Sequence, residues 1–313
     1  MQYLVLSTFC ICADKRCLAI FASDRYRLTY LCAMTTREFT NQWISALSER
    51  YDSREASEIL RVWLEDSAGI SRSRWMLMDV VPEDLAYADA LERLKAGEPI
   101  QYITGVAFFS DLLFNVNPSV LIPRPETEDL VNLLKDHTPR GASVLDIGTG
   151  SGCIPISLAK RRSDLQVWGL DFSKPALEVA ATNAEKMQVK CTFIEMDILS
   201  EWPEINFDII VSNPPYIEDK ERDGMSGHVV DYEPSSALFV PNEEPLLFYS
   251  RIMESAFKHC DQLWFECHID HVEEVAQQMV ATGYDKVTTY PDITGRLRFV
   301  SGISNPILHR ESN

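Results

Sequence analysis

The sequence predicts an α/β protein whose C-terminal part carries a parallel sheet covered by helices on both faces. Strand-like segments recur from residue 143 onward, and helical patterns separate most of them. Such alternation is typical of parallel strands joined by crossover helices. The predicted strands are 143–147, 166–170, 192–195, 207–212, 263–267 and 286–290, with 296–300 as a last one.

Residues 34–97 are predicted to form a separate helical domain. Thr35 and Glu38 match a capping box at the start of its first helix, and Ser53 is expected to cap the second. A further helix follows Pro82 and stops at Gly97. Nothing in this segment offers a nucleophile or a metal cluster, so we interpret it as a substrate-binding domain that holds a partner.

A β-hairpin linker is predicted over residues 98–124, from β-rich pieces on either side of Ser110-Asp111. Pro125 then opens a helix that runs to about residue 137. We place the sheet domain at 125–303 and a C-terminal tail at 304–313.

The first 33 residues differ from the rest, because they hold four of the eight cysteines. A secretory signal is disfavoured, since no basic stretch precedes the apolar residues. A metal site built on Cys10, Cys12 and Cys17 lacks a fourth ligand at the usual zinc spacing. We therefore expect an unstructured leader, or a segment upstream of a true start at Met34.

The charge balance limits the classes of partner. A formal net charge of −18 disfavours a protein that grips nucleic acid by its phosphates. No apolar run approaches membrane-spanning length. We expect a cytoplasmic monomer that neither enters a membrane nor contacts nucleic acid directly. Reduced, buried thiols, rather than disulfides, are expected at Cys153, Cys191, Cys260 and Cys267.

A glycine-rich turn follows the first predicted strand, in the run Asp-Ile-Gly-Thr-Gly-Ser-Gly at 146–152. Glycines allow a tight turn and let a ligand approach the backbone. A dinucleotide fingerprint needs its third glycine where Cys153 stands. The spacing therefore favours a nucleoside without a pyrophosphate. The candidate contacts are Gly148, Thr149, Gly150, Ser151 and Gly152.

Two acids follow the next two strands. Asp171 ends the second strand, where a carboxylate can accept both ribose hydroxyls. Asp197 follows the third strand and is expected to border the adenine. A glycine-rich turn alone is explained by tight packing, but the turn and both acids together predict nucleoside binding.

The fourth strand ends in Asn213, Pro214, Pro215 and Tyr216. The side-chain oxygen of Asn213 and the backbone oxygen of Pro214 can each accept one hydrogen of a planar NH₂ group, which turns lone-pair density toward a methyl donor. Pro215 stiffens the turn, and Tyr216 offers a face for a planar amide or base. The alternative is a proline-rich turn after a buried strand; the nucleoside motifs favour methyl transfer, which needs no metal ion.

Two other polar clusters are interpreted as structural. Glu126 and Glu128 in a first helical turn are ordinary partners of the helix dipole. The second cluster lies at a strand-to-helix junction, where capping and solvation explain polar residues better than metal binding does. It contains Glu266, Cys267, His268, Asp270 and His271.

From Met34 on, the chain resembles the peptide chain release factor glutamine methyltransferases, the PrmC/HemK family. The resemblance is carried by the runs at 97–105 (GEPIQYITG), 121–128 (LIPRPETE), 146–152 (DIGTGSG), 213–216 (NPPY) and 231–234 (DYEP). The NPPY motif is shared with adenine and guanine amino-methyltransferases, whereas the first two runs are more particular to this family.

This resemblance implies a seven-stranded Rossmann-like S-adenosylmethionine methyltransferase domain, preceded by a small helical domain. The implied reaction methylates the glutamine of the Gly-Gly-Gln motif in class 1 peptide chain release factors. The implied cofactor contacts are 148–152, Asp171, Asp197, Ile198 and Asn213. Asn213, Pro214 and Tyr216 are the implied catalytic residues, and Pro215 joins them in binding the glutamine.

The chain departs from the family pattern at 266–270 and 296–299, and we expect both departures to lie away from the site.

Two other functions stay open. A nucleic-acid amino-methyltransferase, acting on adenine N6 or guanine N2, is disfavoured by the acidic charge. A cofactor-binding scaffold without turnover is disfavoured by Asn213 and Asp171.

Overall fold

The computed structural model describes residues 34–82, 85–225 and 227–304, together with the backbone of 17–18 and 31–32. Two short strands, β1 (Cys17–Leu18) and β2 (Leu31–Cys32), pair antiparallel. Apart from these strands and Ser304, the interpretations of 1–33 as a leader and of 304–313 as a tail lie outside the described residues.

The chain divides into two compact units between Ile100 and Gln101. The first unit is helical, and its apolar core is centred on Phe39, Trp43 and Trp63. A last short helix crosses the boundary between the units. The five helices are α1 (Thr36–Leu47), α2 (Ser53–Ala68), α3 (Arg72–Leu77), α4 (Ala88–Ala96) and α5 (Ile100–Thr104).

Helix ends in the first unit mostly follow local sequence chemistry, with two corrections. The helix predicted to follow Pro82 begins only at Ala88, and no side chain caps it. The Thr35 hydroxyl accepts from the Glu38 amide at 3.2 Å, and the Glu38 carboxylate accepts from the Thr35 amide at 2.9 Å. The prediction that Ser53 caps α2 is wrong. Asp52 is the cap, because one of its carboxylate oxygens accepts from two backbone amides, each at 2.8 Å. Gly97 ends α4 with φ +98°, as predicted.

The second unit contains a hairpin, a large sheet and the helices that cover it. The hairpin strands are β3 (Val106–Phe109) and β4 (Leu112–Asn115). The strands of the large sheet are β5 (Ser143–Ile147), β6 (Gln166–Asp171), β7 (Cys191–Glu195), β8 (Phe207–Ser212), β11 (Cys260–Glu266), β12 (Asp285–Pro291) and β13 (Leu297–Ile303). A parallel pair, β9 (Ile217–Glu218) and β10 (Phe239–Val240), lies apart from it. The helices are α6 (Pro125–His137), α7 (Cys153–Arg161), α8 (Lys174–Lys186), α9 (Gly227–Val230), α10 (Leu247–Ala256) and α11 (Val272–Thr282).

The seven strands are ordered β12-β13-β11-β8-β5-β6-β7, and β13 is antiparallel to both of its neighbours. The chain builds β5, β6 and β7 in one direction and then returns to place β8 on the other side of β5. Ligands of such sheets bind at this reversal, beyond the carboxyl ends of the strands. All seven predicted strands are present, with boundaries shifted by three residues or fewer.

Apolar side chains cover both faces of the sheet. On β5, Leu145 and Ile147 belong to a core with α10 and α11, whereas Val144 belongs to a core with α6 and α7. On β8, Ile209 and Val211 face one core and Ile210 the other. The prediction of a sheet covered on both faces is therefore confirmed. Within the described part of the chain, no helix is both long enough and apolar enough to cross a membrane.

Candidate active site

A pocket opens at the carboxyl ends of β5, β6, β7 and β8. Because parallel strands end at the same edge of the sheet, four separate segments of the sequence converge there. The pocket therefore brings together eight of the twelve predicted cofactor and substrate residues, and Tyr216 is among those that do not line it. Those that line it are Gly148, Gly150, Asp171, Asp197, Ile198, Asn213, Pro214 and Pro215.

The three glycines of the turn after β5 have two different roles. Gly148 and Gly150 have φ values of +76° and +51°, and a Cβ added at either position would meet no atom within 4 Å. They leave open space at the pocket wall for a ligand. Gly152 is closely packed instead, since its Cβ would lie 2.8 Å from Ile156 Cδ1. Gly152 therefore lets α7 pack, and it does not line the pocket.

Thr149 and Ser151 are buried and do not line the pocket either. The backbone oxygen of Ser151 accepts from the Asn183 side-chain amide at 2.9 Å. The same fully buried Asn183 exchanges two hydrogen bonds with the backbone of Asn115 in β4, at 2.7 and 3.0 Å. Asn183 therefore fixes the glycine turn against the hairpin, a role that the sequence analysis missed.

Asp171 presents a rigid carboxylate at the pocket edge. One oxygen accepts from the Gly150 amide and the other from the Ser173 amide, each at 2.9 Å. Burial raises the pKa of Asp171, and these amides oppose the shift. Each oxygen keeps a lone pair for a further donor, so the carboxylate fits the two hydroxyls of a ribose.

The neighbouring wall suits a flat base. Ile198 is 6% exposed, and Phe172 lines the same pocket with 57% of its surface exposed. Asp197 lies at the surface and accepts from the Leu199 amide at 2.9 Å. Together with the open glycines and Asp171, these residues fit the nucleoside part of S-adenosylmethionine.

The Asn213–Tyr216 turn lies beside the same pocket. The side-chain nitrogen of Asn213 donates to the Thr127 hydroxyl at 3.3 Å, which leaves the amide oxygen as an acceptor. Pro214 is buried. The Tyr216 ring centroid lies 5.7 Å from that of His268, and burial raises the pKa of the Tyr216 hydroxyl well above its ordinary value. Tyr216 is therefore a neutral, packed ring at neutral pH.

A half-buried ion pair holds the chain that precedes α6. Arg124 lies 2.7 Å from one carboxylate oxygen of Glu233, and the other oxygen accepts from the Ile122 amide at 3.2 Å. Glu233 is 5% exposed. This pair ties the run at 121–128 to the run at 231–234, and Pro234 of the latter lines the pocket. Arg124 thereby has a structural role, which the sequence alone left unassigned.

Two family models match this chain. The PrmC N-terminal domain model covers residues 38–105, and the methyltransferase small domain model covers residues 125–264. A release factor glutamine methyltransferase of Flavobacterium psychrophilum is 37% identical over 281 residues, which is 85% of this chain and 98% of that protein. The protein of the same description from Bacteroides thetaiotaomicron is 42% identical over 214 residues, covering 67% of this chain and 77% of that protein. The chain belongs to the release factor glutamine methyltransferase family.

The carboxyl end of β11 lies nearer to the site than the sequence predicts. The segments at 266–270 and 296–299 were expected to lie away from the site, and this is wrong for Glu266 and Arg298. Phe265 in β11 pairs with Ser212 in β8, so Glu266 lies level with Asn213. Arg298 on β13 lies close enough for its charge to lower the pKa of both Glu266 and Tyr216. The reason is strand order, because β11 is the parallel neighbour of β8.

The polar cluster that begins at Glu266 divides into buried and exposed residues. Glu266 and Cys267 are buried, whereas Asp270 is exposed. Solvation therefore explains Asp270 but not Glu266. Among the described residues, no group of three or more His, Cys, Asp or Glu side chains is arranged to hold a metal ion.

Asp146, at the end of β5, is a second buried acid beside the site. It is 1% exposed, and neither carboxylate oxygen has a hydrogen-bond partner among the described residues. Burial raises the pKa of Asp146 to about 7, the nearby Thr149 hydroxyl lowers it less, and Asp171 adds to the rise. The stability that this raised pKa contributes is fully present below about pH 4. It is lost as the pH rises through about 7.

Replacing Asp146 by Asn should therefore stabilise the cofactor-free protein at about pH 8, where the wild type buries a charge, by about 1–4 kcal/mol. The gain should shrink as the pH falls from about 7 toward about 4, because the carboxyl of the folded protein then becomes neutral. Urea unfolding at both pH values measures it. Exposed Asp136→Asn is the control, and a gain in Asp146→Asn that did not change with pH would contradict the burial argument.

Proposed function

We propose that this protein transfers a methyl group from S-adenosylmethionine to the side-chain amide nitrogen of a glutamine in a class 1 peptide chain release factor. We further propose that it acts as a monomer in the cytoplasm, where release factors function. The observation that carries the proposal is the shared pocket. The open glycines 148 and 150, the carboxylate of Asp171 and the amide of Asn213 all line it.

Each residue would contribute by binding or by orientation. When bound, S-adenosylmethionine supplies an electrophilic methyl group. Asp171 would hold the ribose, Gly148 and Gly150 would let the ligand approach the backbone, and Asp197 and Ile198 would lie beside the base. The packed residues Thr149, Ser151 and Gly152 would act indirectly, by holding the turn in shape.

The turn at Asn213–Tyr216 would prepare the nucleophile. The amide oxygen of Asn213 and the backbone oxygen of Pro214 would accept the two hydrogens of the glutamine NH₂ group. These bonds fix the nitrogen and raise its electron density toward the methyl group. Pro215 would hold the turn, and the neutral ring of Tyr216 would lie against the planar amide. Because methyl transfer disperses positive charge, a positioned site with little water provides most of the catalysis.

The choice of substrate follows from the relatives. The proteins that cover most of this chain are described as release factor glutamine methyltransferases. The PrmC N-terminal model matches 38–105, so the resemblance includes the helical unit. We propose that this unit binds the release factor and that the glutamine of its Gly-Gly-Gln motif enters the pocket.

The decisive experiment measures transfer of labelled methyl groups from S-adenosylmethionine to three acceptors. They are a purified release factor, its Gly-Gly-Gln→Gly-Gly-Ala variant and bulk nucleic acid. The proposal expects label on the native factor alone, with peptide mass spectrometry locating it on the glutamine. Label on nucleic acid would instead favour an amino-methyltransferase of bases. Cofactor binding without any transfer to the three acceptors would favour a scaffold.

A further inference from the structure

Glu266 and Thr127 lie together behind Asn213. Glu266 ends β11 level with Asn213 across the strand pair, and Thr127 lies in the first turn of α6. Their side chains are 1% and 3% exposed. One carboxylate oxygen of Glu266 has no hydrogen-bond partner among the described residues. A buried carboxyl beside a site is costly, so its presence there calls for a physical reason.

We propose that Thr127 and Glu266 are positioning residues that hold the Asn213 amide in one orientation, with its oxygen toward the substrate. The inference rests on the proposed function, in which that oxygen accepts a hydrogen of the glutamine amide. An inverted Asn213 would present NH₂ to the substrate NH₂ group, and two donors cannot bond to each other.

The orientation follows from a count of donors and acceptors. A threonine hydroxyl has one hydrogen to donate and lone pairs with which to accept. An ionised carboxylate only accepts, and the Thr127 side chain lies near enough to lower the pKa of Glu266, so the Thr127 hydrogen would point to Glu266. The Thr127 oxygen can then only accept from Asn213, and it does accept from the Asn213 nitrogen at 3.3 Å. The Asn213 oxygen is thereby left for the substrate.

Glu266 lies among several charged and titratable groups. Burial raises the pKa of Glu266 to about 7, while the nearby Thr127 side chain and the charge of Arg298 lower it. Arg298 is itself bound to Asp292 at 3.1 Å, and Arg124 to Glu233 at 2.7 Å. The groups that interact with Glu266 are Arg124 and Glu126 at the start of α6, Cys153 on α7, Tyr216 after β8, Tyr249 on α10, Cys267 beside it and Arg298 on β13.

Protonation of Glu266 removes the constraint on the orientation of the Asn213 amide. A neutral carboxyl can donate its own hydrogen to the Thr127 oxygen, which frees the Thr127 hydrogen for the Asn213 oxygen. The amide then has no preferred orientation. Methyl transfer by the wild type should therefore fall as the pH decreases through about 7.

Matched variants at Thr127 test the hydroxyl. Thr127→Val keeps the shape and removes the hydroxyl, whereas Thr127→Ser keeps the hydroxyl and removes a methyl group. The loss of one orienting hydrogen bond should lower kcat of Thr127→Val by about tenfold or more. Thr127→Ser should recover most of kcat, and both variants should bind S-adenosylhomocysteine like the wild type. Equal kcat for Thr127→Val and the wild type would overturn the proposal.

Glu266→Gln tests the charge, because its amide oxygen can still accept from Thr127 but cannot titrate near neutrality. We expect partial kcat at about pH 8 and a profile that stays flat down to about pH 6. Asp146 is the other buried acid whose pKa lies at about 7, and Asp146→Asn should keep the wild-type decrease. A purely structural role for Glu266 predicts lower stability with an unchanged pH profile, and that result would also overturn the proposal.

A measurement without turnover separates this inference from the proposed function. The Asn213 side-chain NH₂ signal can be followed by NMR in asparagine-labelled protein and assigned by its absence in Asn213→Ala. We expect it to shift between about pH 6 and pH 8 in the wild type and not in Glu266→Gln. If this difference between the two proteins were found but no release factor were methylated, the proposed function would be refuted. The positioning role of Thr127 and Glu266 would still hold. If the Asn213 signal shifted with pH in Glu266→Gln as it does in the wild type, the proposal that Thr127 and Glu266 orient Asn213 would be refuted.

Discussion

Replacing Asn213 by alanine is expected to lower the rate of methyl transfer to the release factor by about 10²–10³-fold or more. Alanine removes the amide oxygen that would hold the glutamine nitrogen, whereas the neighbouring pocket walls stay in place. Because Asn213 is half-buried at the end of β8 and not part of the apolar core, the variant should still fold. Single-turnover methylation at saturating cofactor measures the chemical step without contributions from product release.

The control for this prediction is Asn132→Ala, an exposed asparagine on α6 outside the pocket. That variant should methylate like the wild type. Binding of S-adenosylhomocysteine by Asn213→Ala, measured by calorimetry, should remain within about threefold of the wild type, since Asn213 is only one of the residues that line the pocket. A near-normal rate in Asn213→Ala would show that the amide does not position the nucleophile.

Replacing Asp171 by alanine should weaken binding of S-adenosylmethionine by about 100-fold or more, because two charge-assisted hydrogen bonds to the ribose would be lost. The same change leaves the Gly150 and Ser173 amides without their carboxylate partners, so the glycine turn should also lose order. Calorimetric titration with S-adenosylhomocysteine measures the affinity directly. It does not require any protein substrate.

Asp197→Ala is the matched comparison for Asp171→Ala. Asp197 lines the same pocket but is exposed and bonded to the Leu199 amide, so its loss should cost only about threefold in affinity. Asp171→Asn keeps one acceptor oxygen and should lie between the two alanine variants. Equal affinities for Asp171→Ala and Asp197→Ala would contradict the assignment of Asp171 to the ribose.

Much of the second unit could be predicted because its strands carry short apolar runs bounded by polar turns. The hairpin was predicted from Ser110-Asp111, and both residues have positive φ, at 53° and 62°. The prediction missed the short helix α5 before the hairpin. Residues 98–104 were assigned wholly to the linker, since five helical residues are too few for a visible hydrophobic period. The cap at Asp52 was missed because Ser53 beside it is an equally good cap residue in isolation.

The predicted residues of the glycine turn fall into two groups: those that border the pocket and those that are packed inside the protein. Sequence motifs show where the backbone must turn, but not which atoms of the turn face a ligand. Gly148 and Gly150 border open space, whereas Gly152 is pressed against Ile156. Thr149 and Ser151 point into the protein and not into the pocket. Only the packing of α7 and α8 against the turn separates the two groups.

By itself, the sequence determined the fold class, the glycine turn, the acids after β6 and β7 and the Asn213–Tyr216 turn. Each of these depends on residues close together in the chain, where backbone conformation and chemical character are local properties. Only the tertiary structure decided which residues lie behind Asn213. Thr127 reaches Asn213 across 86 residues, and Glu266 comes level with it because β11 pairs with β8. Strand order is set by packing of the whole sheet, and no local pattern encodes it.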